Sequence, residues 1–292
     1  MEPFVSIIVP VKNEEQRLQR LLEVLSSLDY PRERYEIIVA DNGSSDATEA
    51  VARKMEGILV CSAPKGGSYA ARNAAVRLAR GEVLAFTDAD CTPAAGWLKA
   101  GVARLLSGSD LVAGAIQFEL SRDSVAHRFD KKFFLQQERW VTEKRSGATA
   151  NLFVKRTLFE QMGGFSEELT SGGDFAFCKK ATESGCVLTY EQAAIVHHPT
   201  RGLKALLRKA RRIGGGKVER LRHTATTSRD VMPQKRQVAK LLAGESVSTK
   251  IAFLALYGAI CVAGASGAFS VLWRHRSRAN SAADPSRVTP TV

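Results

Sequence analysis

Val5-Ser6-Ile7-Ile8-Val9-Pro10-Val11-Lys12-Asn13-Glu14-Glu15 passes from a short apolar, β-branched run straight into polar and acidic residues. Such a run reads as a buried strand with a loop at its carboxyl end. Leu18, Leu21, Leu22, Leu25 and Leu28 then recur at helical spacing. Tyr35 to Ala40 predicts a second buried strand, and Asp46 to Met55 a short helix with Ser44, Ser45 or Asp46 available as caps. Gly57 to Cys61 predicts a third strand, Ala70 to Ala79 a helix, and Val83 to Thr87 a fourth strand. Strands alternating with helices build an α/β fold, a mostly parallel sheet with helices on both faces.

The pattern loosens beyond Thr87. Leu111 to Phe118 predicts a strand, Val125 to Glu143 one aromatic-rich helix, and Ala148 to Val154 a strand. Val187 to Tyr190 and Ala194 to His198 predict two short strands, with a helix over Phe175 to Ser184 before them. These segments divide a domain over residues 1–200 into a first half to about residue 110 and a second from 111 to 200.

Charge sharpens the boundary at 200. The 292 residues carry a formal net charge of +12, yet residues 1–200 are slightly acidic, and residues 201–250 hold 14 basic against 3 acidic side chains. The basicity belongs to one segment, so the overall charge is no argument for nucleic acid, and none is expected as a partner. Leu203, Leu206, Leu207, Ala210 and Ile213 share one helical face, with Lys204, Arg208, Lys209, Arg211 and Arg212 around it. That is a basic amphipathic helix of the kind that lies on anionic lipid, or a terminal helix with solvated charges. A linker is expected from about 223 to 249. Ile251 to Trp273 has no charged residue and is long enough to span or insert into a bilayer. Residues 274–292 read as a disordered tail. The more basic flank precedes the apolar stretch, which favours a membrane-associated protein with its large domain on the cytoplasmic face. The start of the chain does not read as a signal peptide. Five scattered cysteines without a C-x-x-C pair fit a reduced setting.

In an open parallel sheet, ligands bind beyond the carboxyl ends of the strands. Three such ends carry distinctive residues: Pro10 to Glu15, Asp41 to Asp46, and Asp88-Ala89-Asp90. Alternation along an extended chain sends Asp88 and Asp90 the same way, an arrangement that a hard divalent cation, Mg²⁺ or Mn²⁺, would relieve. Asp41 could accept a hydrogen bond from a nucleoside or form an Asx-turn before Gly43. Lys65-Gly66-Gly67-Ser68 precedes a helix bearing Arg72 and could take phosphate, although no Walker A or G-x-G-x-x-G motif is present.

V-S-I-I-V-P-V-K-N-E-E, I-I-V-A-D-N-G-S-S-D and A-R-N-A-A-V-R-L-A-R-G-E-V-L-A-F-T-D-A-D together resemble the family 2 glycosyltransferases of the GT-A fold, over about the first 200 residues. The resemblance implies a nucleotide-diphosphate sugar donor, a divalent metal (Mn²⁺ or Mg²⁺) and inversion at the anomeric carbon. It places Pro10, Asn13, Glu14 and Asp41 around the nucleoside; Val11 beside them, Lys65 and Arg72 of the Gly-rich loop and its helix, and Arg212, whose guanidinium suits diphosphate, are further expected donor-binding residues. It implies Asp88 near ribose, sugar or metal, and Asp90 on the metal, joined by His198 or, failing that, His197. Asp174 falls where similar enzymes carry a catalytic base. Gly173 departs from the family pattern, which has an acidic residue there. The Q-x-x-R-W signature of processive synthases is absent after Asp174, so a single transfer to a lipid-linked or polysaccharide-precursor acceptor is expected. A catalytically silent membrane-bound scaffold and a sugar-nucleotide nucleotidylyltransferase are the rival expectations.

Overall fold

The structure is a computed structural model describing residues 2–63, 66–223, 242 and 244–282. Its residues form two compact units. Met1–Glu168 with Gly173–Arg201 make the first, and Leu169–Gly172 with the chain from Gly202 onward make the second.

The first unit is built on an eight-stranded mixed sheet. Its elements are β1 (Val5–Val11), α1 (Glu15–Leu25), β2 (Tyr35–Asp41), α2 (Thr48–Lys54), β3 (Ile58–Ser62), α3 (Ser68–Val76), β4 (Val83–Thr87) and β5 (Thr92–Pro93). Next come α4 (Trp97–Leu106), β6 (Leu111–Glu119), α5 (Val125–Phe133), α6 (Gln137–Lys144), β7 (Asn151–Lys155), α7 (Arg156–Gln161), α8 (Gly173–Glu183) and β8 (Leu188–Pro199). The sheet order is β3-β2-β1-β4-β7-β6-β8-β5. The first four strands are parallel, β7 runs antiparallel to both β4 and β6, and β8 returns parallel to β6.

Alternation along the central strands divides the core. Val5, Ile7, Val9, Val83 and Ala85 join Leu18, Leu21, Leu22 and Leu25 of α1 and Trp97, Leu98 and Val102 of α4 in one apolar cluster. Phe86 instead packs with Phe159 and Phe165. These two meet Phe177 of α8, and Phe165 also meets Tyr69 of α3, with ring centroids 5.0–5.6 Å apart. Each fully buried aromatic of this kind contributes about 2 kcal/mol of hydrophobic stabilisation.

Two expectations are corrected and one further element is found. The helix expected over Val125 to Glu143 is two helices, α5 and α6. The chain breaks at Phe134, which is extended, and at Leu135, with φ of 48°, and both side chains turn into the core. The two short strands near the end of the unit are one strand, β8, carrying an irregularity opposite Gly114 and Ala115 of β6. α4 was not anticipated, although Trp97, Leu98, Gly101, Val102 and Leu105 form its buried stripe.

The second unit holds α9 (Leu203–His223) and α10 (Val247–Ala282). α10 outruns the uncharged stretch at both ends, so the tail expected from Arg274 is helical as far as Ala282. Most of the expected linker lies outside the described residues.

Candidate active site

Register gathers the polar strand ends at one rim. Val11 of β1 pairs with Asp41 of β2, and Asp41 with Ser62 of β3. Ile8 pairs with Phe86 of β4, so two residues further on Pro10 and Asp88 lie at the same level.

The loops after β1 and β2 are stitched together. Asn13 sits in the left-handed region at φ 54°, its N–H donates to Ser44 Oγ at 2.9 Å, and its Oδ1 accepts from Ser45 N–H at 2.7 Å. Glu14 N–H donates to Thr48 Oγ1 at 2.9 Å. Asp41 is buried, and its carboxylate accepts from the N–H groups of Gly43 and Ser44, both at 3.0 Å, and from Ser44 Oγ at 2.5 Å. The Asx-turn alternative for Asp41 is therefore formed, and Gly43 supplies the positive φ of 75° that the turn requires. Burial pushes the Glu14 carboxyl above its ordinary value; Arg17 opposes the rise and the charge of Asp90 adds to it.

Asp88 and Asp90 take different partners. Asp88 pairs with the Arg72 guanidinium, which is buried and whose Nη1 also donates to the Ser68 carbonyl at 3.2 Å. Asp90 faces His198, with Oδ2 and Nε2 3.7 Å apart. The short strand β5 creates that meeting. Thr92 and Pro93 pair antiparallel with His197 and Val196, which brings the preceding Asp90 and Cys91 back against His198. Ligand atoms of Asp90, Cys91 and His198 all lie within 4.8 Å of one another, and Asp88 is outside this group. His197 turns elsewhere, its Nδ1 3.4 Å from Glu119.

The donor chemistry of this corner suits a divalent cation. His198 Nδ1 lies 2.7 Å from the Pro199 carbonyl, which can only accept, so the proton sits on Nδ1 and Nε2 is the acceptor nitrogen, 3.7 Å from Asp90 Oδ2. Cys91 is fully buried, and burial, with the charges of Asp90 and Asp88 adding to it, holds its thiol far above the usual range, so it stays protonated. One carboxylate and one imidazole match Mn²⁺ or a similar ion that keeps positions open for phosphate oxygens. Arg201 Nη2 donates to the same Nε2 at 2.6 Å, while the buried Asp130 accepts from Arg201 N–H at 2.8 Å and Nη1 at 3.2 Å.

Asp174 stands at the start of α8, held by α3. Tyr69 Oη donates to its Oδ1 at 3.0 Å, and Thr149 N–H to its Oδ2 at 3.3 Å. Tyr69 also lies beside Arg72, whose guanidinium carbon is 5.7 Å from the ring centroid. The departure at Gly173 has a steric counterpart: a Cβ built there meets the Tyr69 ring at 2.9 Å, so the tyrosine fills the room a side chain would need.

The first unit thus brings together Pro10, Val11, Asn13, Glu14, Asp41, Arg72, Asp88, Asp90, Asp174 and His198 from six segments. Arg212 belongs to α9 in the second unit, where its Nη1 donates to the Thr170 carbonyl at 3.4 Å, and Lys65 lies outside the described residues. Tyr69, Asp130 and Arg201 were not anticipated. Tyr69 is 105 residues from Asp174, a pairing that no local spacing signals.

A family profile described as Glycosyl transferase family 2 matches residues 6–163. The chain belongs to glycosyltransferase family 2. Glycosyltransferase AglE of Haloferax volcanii is 37% identical over 224 residues, covering 74% of each chain. A beta-monoglucosyldiacylglycerol synthase of Trichormus variabilis is 30% identical over 193 residues, which span 60% of this glycosyltransferase and 41% of that protein. Among solved structures, the mannosyltransferase PcManGT from Pyrobaculum calidifontis, in complex with GDP-Man and Mn²⁺, superposes with a TM-score of 0.61 at 22% identity, over 98% of this chain and 82% of its own. TarS of S. aureus in complex with UDP-GlcNAc superposes at 0.55 and 18% identity, over 92% and 83%. At these identities the structural likeness establishes the fold, a GT-A sheet. The protein is a nucleotide-sugar-dependent glycosyltransferase.

Proposed function

We propose that this glycosyltransferase moves one sugar, with inversion, from a nucleotide-diphosphate sugar to a lipid-linked or glycan acceptor at a membrane surface, with its catalytic unit on the cytoplasmic side. The supporting observation is that Tyr69 carries Asp174 on its hydroxyl and Arg72 over its ring, with Asp88 on Arg72. A base, a cation and the acid-bearing rim of the sheet thereby come within one constellation.

In this reading Pro10, Val11, Asn13, Glu14 and Asp41 border the nucleoside. Asp41 has committed its carboxylate to a turn, so its role there is to shape the loop and offer its remaining lone pairs. Asp174 takes the proton of the acceptor hydroxyl as that oxygen attacks the anomeric carbon. The bond from that carbon to the diphosphate oxygen breaks, and the nucleoside diphosphate leaves with the electron pair. Asp90 and His198 would hold a divalent cation, with Asp88 close by; when bound, it neutralises charge on the leaving diphosphate. The lipid-acceptor half of the reading draws on the diacylglycerol-directed name of one relative and on the apolar α10, one helix long and apolar enough to cross a membrane.

Asp174→Asn and Asp90→Ala separate these roles. Transfer by Asp174→Asn should fall by at least about 100-fold with donor binding retained, since general-base removal costs that much. Asp90→Ala should lose Mn²⁺-dependent binding of the nucleoside diphosphate. Unchanged transfer in Asp174→Asn would overturn the assignment of the base.

A further inference from the structure

α10 is apolar enough to cross a bilayer, but its neighbour is the wrong kind of helix for a membrane interior. Phe253, Leu256, Ile260, Gly267 and Val271 are its buried residues, spaced three, four, seven and four apart on one face. That face meets α9 at close range. A Cβ on Gly214 would strike the Gly264 backbone, one on Gly267 would strike the Arg211 backbone, and one on Gly215 comes 3.1 Å from Val271. Arg211 Nη2 donates to Ser270 Oγ at 3.3 Å. The opposite face of α10 is uncovered and apolar: Ile251 is 63% exposed, Val262 71%, Phe269 65% and Trp273 61%.

Residues 251–273 rise about 33 Å as a helix, which matches the hydrocarbon thickness. If α10 crossed upright, Gly264 and Gly267 would lie within about 8 Å of the mid-plane. The α9 backbone at 210–215 would lie at the same depth. Arg211 and Arg212, on that stretch of α9, are exposed, so their charges would face acyl chains. Charged groups at that depth must pair or reach water, and side chains seated near the centre are too far from either surface to snorkel.

We infer that α9 and α10 form a monotopic hairpin that rests in one leaflet without crossing it. α10 lies along the interface with its uncovered face among the acyl chains. α9 covers its other face and presents Lys204, Arg208, Arg211, Arg212 and Lys217 to lipid phosphates. Neither helix alone offers this polarity to a membrane: α10 lacks a polar face, and the apolar face of α9, with Leu206, Ala210 and Ile213 buried, is already covered. Packed together they make a single amphipathic layer. The charge of α9 commits the occupant to an anionic membrane surface. This inference rests on the membrane part of the proposed function, and it specifies how that membrane is met.

The test uses the full-length enzyme carrying one epitope tag at each end, in sealed membrane vesicles exposed to protease. Both tags should share one fate, digested together or protected together. One digested and one protected tag would show a crossing helix and overturn the inference. In flotation, the enzyme should prefer phosphatidylglycerol over phosphatidylcholine vesicles. The surface variant Lys204→Gln/Arg208→Gln/Lys217→Gln should lose on the order of 100-fold in binding to the anionic ones. Equal partition into both vesicle types would also overturn it, as would a salt-stable dimer that ignores both, because a second copy would then cover α10. Failure to float at all removes the membrane reading as a whole, whereas flotation with tags on opposite faces removes only this inference.

Discussion

Tyr69 shows what one side chain does in this site. Its hydroxyl orients Asp174, its ring occupies the place of a side chain at 173, and its edge packs on Phe165 with centroids 5.6 Å apart. A carboxylate that accepts three hydrogen bonds, from Tyr69 Oη and from the N–H groups of Thr149 and Phe175, is a better positioned base than one free to rotate. Tyr69→Phe keeps the packing and removes one hydrogen bond, a change of about 1.4 kcal/mol or tenfold in rate. kcat should therefore fall about tenfold with the KM for donor unchanged, measured by steady-state kinetics at saturating acceptor. An unaltered kcat would mean that the N–H groups of Thr149 and Phe175 suffice to position the base. Asp88 and Asp90 carry the same lesson. The expected shared direction does not hold: the strand ends at Thr87 and the chain turns, Cys91 N–H donating to the Asp88 carbonyl at 3.0 Å, so Asp88 meets Arg72 of α3 while Asp90 meets His198 of β8.

At the scale of elements, Asn151 at the start of β7 controls the approach of β8. It is fully buried. Its Oδ1 accepts from Trp97 Nε1 at 2.8 Å, and its Nδ2 donates to the carbonyls of Ala115 and Ala194, both at 2.8 Å. Those two carbonyls flank the irregularity between β6 and β8, so the side chain completes hydrogen bonding that the ladder leaves open. Ala194 lies four residues before His198 on the same strand. Asn151→Ala strands an indole N–H and two carbonyls and should cost about 3 kcal/mol, read as a shift in the denaturation midpoint. It should also weaken Mn²⁺-dependent donor binding, because β8 carries His198. Nothing in the sequence distinguished this residue from its neighbours in Gly147 to Leu152. Among the small residues there, a Cβ on Gly147 would meet Ala113 at 3.0 Å.

At the scale of the molecule, charge and burial divide the chain. The catalytic unit buries two thiols completely, and burial raises both above their ordinary value, Cys178 to about 12. An acid whose folded value is raised binds its proton more tightly in the folded state. Its effect is absent below the unfolded value near 9. Above it the unfolded chain has lost a proton that the folded chain keeps, so stability falls with pH by about 1.4 kcal/mol per unit for each such thiol. The apparent melting temperature should therefore drop more steeply above about pH 9 in the wild type than in Cys178→Ala, as followed by circular dichroism. Equal slopes would show that this thiol is not sealed in the core.

The sequence by itself determined the alternating strands and helices of the first ninety residues, the acid-bearing strand ends, the family, and the basic and apolar segments that follow residue 200. Each of these is written in periodicity or in contiguous motifs, so local chemistry suffices to reveal them. Tertiary structure alone decided that Asp88 takes Arg72 while Asp90 takes His198, and that Tyr69 reaches Asp174. It also decided that the charges of α9 sit beside the apolar middle of α10. These are pairings between residues far apart in the chain, and the free energy that selects them comes from packing and desolvation, which no single segment carries.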